Sequence, residues 1–268
     1  MVRKRKEVDA GQTAGSRASM TIGAIIHSFS SCPSTNDLAK GLAREGSAEG
    51  TVVVAEEQTA GRGTKGRSWH SPPGQGLYAS VILRPRRSDL SLLPLAAGIG
   101  CVEAIREATG LETALEWPND IIRDGRKLGG ILCETDFLGN VVSHSILGIG
   151  LNIGQKRGDF PPALRPSATS LRLALGRKVD RSELETALWR GLDRWYAAFT
   201  RGRREEIVRA YVSKLVFPVG GVIEIRNEEE TLPGVFRGID LRARLILEKN
   251  GKVRTVSPAE IVAIDYNR

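Results

Sequence analysis

The sequence predicts an α+β protein in which a mixed β-sheet packed with helices is followed by a small β-barrel. Three observations carry this reading. Across residues 22–216, apolar runs of strand length alternate with longer stretches of helical period. From Val219 onward the pattern changes to short alternating strands, with a tight-turn signal at Asn250-Gly251. A chain of 268 residues is long enough for one large domain and one small one. The expected division is a mobile basic tail at 1–20, a large domain at 21–216 and the small barrel at 217–268.

Taken in order, residues 1–20 lack hydrophobic periodicity and are rich in Gly, Ala, Ser, Lys and Arg, which predicts the tail. Residues 22–29 read as the first strand. Ser34, Thr35, Asn36 and Asp37 are capping types ahead of a helix over 38–44 that Gly46 ends. By residue type alone, Ser34 and Thr35 serve equally as caps or as ligand contacts. Residues 51–56 are β-branched and continuous, as a central strand buried on both faces should be. Residues 77–83 form the next strand, with Tyr78 and Ser80 making one face more polar at its start, and Pro85 closes it. Residues 90–109 predict a long apolar helix with Ala96, Ile99, Val102 and Ile105 at helical spacing and Gly110 as its stop. Gly98 and Gly100 inside it predict close packing against another backbone.

A short strand over 113–117 ends at Pro118, and Asn119-Asp120 is either a plain turn or a bend that aims side chains into a site. Asp124-Gly125 is a hairpin signal between Ile121-Ile122 and a return strand over 127–134. In the strand over 141–152, Gly148 and Gly150 leave one face bare, so that a flat ring or an adenine has room against the backbone. Asp180 and Glu183 open a helix like a capping box, and Leu184, Leu188, Leu192, Trp195 and Phe199 form its buried stripe. Trp189 and Trp195 belong to core or interdomain packing. A second helix covers 204–215. The strands of the barrel are expected at 222–226, 234–240, 244–249, 252–257 and 261–264.

The chemistry concentrates in TAGRGTKGRSWHSPPGQGLYASVIL, residues 59–83. Gly61, Gly63 and Gly66 alternate with Arg62, Lys65 and Arg67. Glycine lets backbone N–H groups approach a ligand, and arginine adds planar donors suited to carboxylate and phosphate oxygens. The segment matches G-x-G-x-x-G and nearly matches a P-loop. Both motifs require a helix directly afterwards, and Ser71-Pro72-Pro73-Gly74 forbids one. Strands on either side argue against a plain solvated loop. The pattern predicts a loop that closes over a polyanionic small molecule and is costly to order when empty.

Composition excludes several classes. Hydrophobic residues at 41% and charged residues at 26% are ordinary for a globular protein. No apolar run is long enough to span a bilayer, and the basic N-terminus lacks the apolar segment of a secretory signal, so a cytoplasmic protein without membrane partners is expected. Cys32, Cys101 and Cys133 form no disulfide framework, and His27, His70 and His144 are too scattered for a histidine-rich metal site. The net charge of +8 speaks to anion steering. The basic tail is too short and too poor in apolar residues for a helix-turn-helix, so no specific DNA binding is expected.

The loop, with Ser34-Thr35-Asn36, EWPNDI (116–121), KLGGILCE (127–134) and GIGLNIG (148–154) in order behind it, resembles the ligand-binding segments of the biotin protein ligase family. The resemblance runs from Ile22 to Arg268. It implies a catalytic domain at 21–216 with ATP, biotin and magnesium, a Src-homology-3-like barrel at 217–268, and a biotin carboxyl carrier domain as partner. It implies biotin contacts at Ser34, Thr35, Asn36, Gln58, Gly61, Arg62, Gly63, Thr64, Trp69, Lys127 and Gly130. ATP contacts fall on Arg62, Arg67, Trp69, Asn119, Lys127 and Asn152, the metal on Asp120, and catalysis on Lys127, Arg62 and Arg67. The activity implied is formation of biotinyl-adenylate and transfer of biotin to a lysine, by a monomer or homodimer. The alternative is a lipoate or octanoate ligase or transferase on a related fold. One departure stands out: Thr64 occupies a place where many members carry another arginine, which loosens retention of the adenylate unless Lys65 compensates.

Overall fold

A computed structural model describes residues 21–86, 89–227 and 229–266. The predicted tail at 1–20 lies outside the described residues. The first unit is a seven-stranded mixed sheet ordered β1-β2-β3-β7-β6-β5-β4. Its strands are β1 (Ile26–Phe29), β2 (Val52–Ala55), β3 (Gly76–Leu83), β4 (Ala114–Glu116), β5 (Asp120–Arg123), β6 (Arg126–Leu138) and β7 (Val141–Asn152). Only β1 and β2 pair in parallel; the other neighbours are antiparallel. Every residue of β2 and β3 is buried, as expected of strands covered on both faces.

Helices α2 (Leu93–Thr109), α4 (Arg181–Thr200) and α5 (Arg204–Val212) carry the main core on one face of this sheet. The stripe on α4 is buried as its spacing predicts, and Asp180 caps it by accepting from the N–H groups of Ser182 and Glu183. Gly100 meets backbone as expected. A β-carbon there would lie 3.1 Å from the carbonyl of Gly191, so the two glycines let α2 and α4 cross closely. Gly98 instead faces the side chains of Leu115, Tyr211 and Ile131. α3 (Leu171–Leu175) is a short connector.

The opposite face is covered only in part, by α1 (Thr35–Arg44). Ala39 and Ala43 of α1 pack on Val53, Ile82 and Ile146. Beyond that small cluster the residues of this face, Leu132 apart, are glycine or carry polar groups. The register sets Ser80, Gly148 and Leu132 in one row, and Tyr78, Gly150, Gly130 and Asp120 in the next. Hence the sheet leaves an uncovered floor beside the N-terminus of α1.

The C-terminal unit is an antiparallel five-stranded sheet ordered β11-β10-β9-β8-β12. Its strands are β8 (Val222–Arg226), β9 (Thr231–Ile239), β10 (Leu245–Lys249), β11 (Lys252–Val256) and β12 (Ala263–Tyr266). Ile223, Ile225, Phe236, Ile239, Leu245, Leu247 and Val256 are buried in its strands. The sheet is open, with β11 and β12 as edges, where closure was expected. It is fastened to the first unit by Trp117 Nε1 donating to the Ala243 carbonyl (3.0 Å) and by Tyr266 donating to Glu116 (2.7 Å).

Several boundaries differ from the sequence expectation. The first strand begins at Ile26 because the preceding residues turn, with the Ile22 N–H donating to Asp193. α1 begins at Thr35, and its N-cap Ser34 makes no side-chain capping bond. α5 stops at Val212, since Leu215 bridges to Leu115 of β4. Among the described residues no helix is long and apolar enough to cross a membrane.

Candidate functional site

The floor, the N-terminus of α1 and the glycine loop line a narrow cleft with a free volume of about 40 Å³. Of the residues expected to contact biotin, all but Gly61 line it. Gly61 lies one layer behind. A β-carbon at that position would sit 2.7 Å from the Trp69 carbonyl oxygen and 2.8 Å from Ser71 Oγ, so only glycine fits there.

The polar wall is a connected network. The Thr35 N–H donates to Gln58 Oε1 at 2.9 Å, and the Thr35 hydroxyl donates to the same oxygen at 3.1 Å. Gln58 Nε2 donates to Ser71 Oγ at 2.9 Å, and Ser71 donates to the Trp69 carbonyl at 3.2 Å. Ser80 lies beneath, 2.8 Å from Thr35 Oγ1 and 2.5 Å from Asn36 Oδ1. Asn36 donates from Nδ2 to Glu134 at 2.6 Å. Glu134 escaped sequence reasoning, and Ser80 figures there only as part of a more polar strand face. The available signals were that polar face in LYASVIL and a lone carboxylate ending GILCE.

Arg62 closes the loop onto this wall. Its guanidinium donates to Asp37 at 2.6 Å and to Glu134 at 3.2 Å. The bond from Arg62 holds the Asp37 carboxyl below its ordinary value, and the same bond raises the guanidinium pKa further. Burial pushes the Glu134 carboxyl up, but the bonds from Asn36 and Lys40 and the charge of Arg62 outweigh it and the net shift is downward. Two carboxylates of the chain supply opposite charge to Arg62.

The second charged group is at the other end. Lys127 Nζ lies 2.6 Å from Asp120 Oδ2 and 5.5 Å from the centre of the Trp69 ring. Gly130 leaves them room, since a β-carbon there would be 3.3 Å from Lys127 Cε and 3.5 Å from Asp120 Oδ1. The bare face predicted at Gly148 and Gly150 exists, but the protein's own groups fill it. A β-carbon at Gly148 would lie 2.4 Å from Asn36 Oδ1, and one at Gly150 would lie 2.6 Å from the Trp69 indole.

Two further cavities adjoin. One of about 240 Å³ is reached past Trp69 and Lys127 and is lined by Arg67, Asn152 and Phe160. Another of about 480 Å³ is reached past Asn119 and is lined by Asp120, Lys65 and, from the C-terminal unit, residues 258, 259 and 261–264. Arg67 is absent from the first cleft; it is exposed and donates to the Thr64 carbonyl and hydroxyl. The Asn152 amide is engaged with Thr169 and Gln155, and the Asn119 amide donates to the Ile131 carbonyl at 2.8 Å. Thr64 borders all three cavities. Lys65, at φ 57°, turns away and donates to the carbonyls of Ala259 and Ile261.

Among the described residues no group of three or more His, Cys, Asp or Glu is placed to hold a metal. Asp120 Oδ1 is nevertheless buried without a hydrogen-bond partner. One such oxygen suits a magnesium ion whose other ligands are phosphates and waters. All three cysteines are free, and burial pushes the Cys133 thiol up to about 12, which suits a packing residue rather than a nucleophile.

Residues 28–152 match the model of the biotin/lipoate A/B protein ligase family. The chain is 37% identical to the bifunctional ligase/repressor BirA of Bacillus subtilis, over 85% of this chain and 70% of that protein. It is 32% identical to the biotin–[acetyl-CoA-carboxylase] ligase of Mycobacterium tuberculosis, over 85% of each. In structure it is similar to the biotin protein ligase of Aquifex aeolicus in complex with biotin and ATP. That match has a TM-score of 0.79 and 26% identity, covering 91% of this chain and 99% of the other. The Leishmania major biotin protein ligase in complex with biotinyl-5-AMP matches with a TM-score of 0.61 and 27% identity, over 87% and 98%.

Proposed function

This chain belongs to the biotin protein ligases of the biotin/lipoate A/B protein ligase family, and on that premise we propose that it activates biotin with ATP and transfers it to a lysine of a biotin carboxyl carrier domain. One observation carries the reading: the cleft has a wall of neutral hydrogen-bonding groups at one end and the Lys127–Asp120 pair under Trp69 at the other. A substrate with a polar neutral ring and a carboxylate on an apolar chain suits that polarity. Ser34, Thr35, Asn36 and Gln58 receive the ring, with Gly63 and Gly130 letting the backbone come close. Lys127 meets the carboxylate and the α-phosphate.

In the first step a carboxylate oxygen of biotin bonds to the α-phosphorus of ATP, and the bond to the pyrophosphate oxygen breaks. Two anions approach each other, so the Lys127 cation, oriented by Asp120, stabilises charge where it accumulates. Arg67 and Asn152 border the route assigned to the nucleotide, and Asn119 the route toward the phosphates. Arg62 acts by clasping the loop, which excludes water and holds Gly63 and Thr64 over the ligand. Magnesium held through Asp120 would neutralise charge on the departing pyrophosphate. In the second step the ε-amine of the acceptor lysine attacks the acyl carbon, loses a proton and displaces AMP.

The reading includes two domains, 21–216 and 217–268, the second a Src-homology-3-like barrel with its edges unpaired. It also includes a cytoplasmic location, in keeping with three unbridged thiols, a monomer or homodimer, and no specific DNA binding. The test is transfer itself. A purified carrier domain should gain one biotin only with ATP, magnesium and this chain together. A carrier left unmodified under those conditions, or modified without ATP, contradicts the proposal.

A further inference from the structure

Resting on that functional reading, we propose that Glu134 is a positioning residue that fixes the donor and acceptor pattern of the wall facing the ligand's polar ring. Glu134 does not line the cleft. It stands behind Asn36, in the cross-strand row it shares with Ile146 and Ile82. Its two oxygens accept from Asn36 Nδ2 (2.6 Å), Lys40 Nζ (2.9 Å) and Arg62 Nη2 (3.2 Å).

An ionised carboxylate only accepts hydrogen bonds. The side-chain amide of Asn36 must therefore turn its NH₂ toward Glu134 and its carbonyl oxygen toward Ser80. That oxygen, in turn, can only accept, so it claims the single hydrogen of the Ser80 hydroxyl, 2.5 Å away. The Thr35 hydroxyl then commits its own hydrogen within the wall, to Ser80 or to Gln58 Oε1. Toward the cleft this leaves one free N–H on Asn36 and lone pairs on Thr35. A donor beside an acceptor complements a carbonyl flanked by N–H, the pattern of a cyclic urea. Gly148 makes the arrangement possible, because a β-carbon there would strike the Asn36 amide. The same carboxylate also holds Arg62, so the wall and the loop share one anchor.

A glutamine at 134 both donates and accepts, which frees the Asn36 amide to rotate. The experiment measures binding of biotin and of 2-iminobiotin, which donates where biotin accepts, to the full chain by calorimetry. Glu134→Gln, folded by circular dichroism, is expected to bind biotin about tenfold or more weakly, as loss of a charge-assisted bond implies. Its preference for biotin over iminobiotin should shrink, which a merely structural prop would not cause. Glu134→Asp keeps the charge and should keep the wild-type preference. An unchanged preference in Glu134→Gln overturns the proposal, whatever its affinity. If Glu134→Gln does not fold, Glu134→Asp decides: loss of fold or of preference in that variant also overturns it. A wild-type chain that binds no biotin would instead remove the functional reading, and this inference with it.

Discussion

Gly150 lies against the indole of Trp69 so closely that a β-carbon at position 150 would sit 2.6 Å from ring atoms Cε2 and Nε1. The strand thus supports the ring that separates the small cleft from the cavity past Lys127. Gly150→Ala is expected to expel the indole at a cost of about 1–3 kcal/mol in packing. The affinity for ATP should fall roughly tenfold or more. Tryptophan fluorescence and nucleotide titration check this; an unchanged spectrum with unchanged affinity would show that the ring tolerates the methyl group.

Lys127 is only partly buried and rests on Asp120 and Trp69. Lys127→Ala should leave the fold intact and lower adenylate formation by on the order of a hundredfold, the loss expected for a preorganised electrostatic contact. Single-turnover formation of the adenylate measures it. A rate near that of the wild type would move the catalytic charge elsewhere.

Thr64 borders all three cavities without a charge, and Lys65 is committed to the Ala259 and Ile261 carbonyls. A charge-assisted bond contributes ~1.5–3 kcal/mol. Thr64→Arg should therefore slow release of trapped adenylate by about tenfold or more. Equal release rates would mean that the new side chain points to solvent.

Asp37 and Glu134 both have carboxyl pKa values lowered on folding. Their contribution to stability is full above the unfolded carboxylate pKa, about 4, and is lost as pH falls through the lower folded values. Melting temperature should hold steady from neutral pH down to the carboxylate range and then drop. In Arg62→Met that drop should be shallower, because Asp37 loses the bond that depresses it. The exposure of Asp37 keeps the difference small. Identical pH profiles would detach Arg62 from both carboxylates.

Glycine and charge made much of this legible in the sequence. Gly61, Gly63 and Arg62 stand out because a ligand-facing backbone needs bare positions beside cations, whereas Gly130 and Lys127 came only with the resemblance to the family. Glu134 and Ser80 did not stand out, since their roles depend on which helix lies over which strand register. A period of two assigns a residue to a face but not to what covers it. The space over Gly148 and Gly150 was visible for the same reason, and its occupants, Asn36 and Trp69, were not. Lys65 illustrates the third limit: a left-handed backbone angle at a non-glycine residue turned it from the ligand to the C-terminal unit. Closure of the small sheet likewise depends on pairing between β11 and β12, which alternation does not encode.

The most direct measurement is exchange of labelled pyrophosphate into ATP by the wild-type chain. Exchange should require both magnesium and biotin, should not be supported by lipoate or octanoate, and should fall by on the order of a hundredfold in Lys127→Ala. Exchange without biotin, or exchange driven by lipoate in its place, would contradict it.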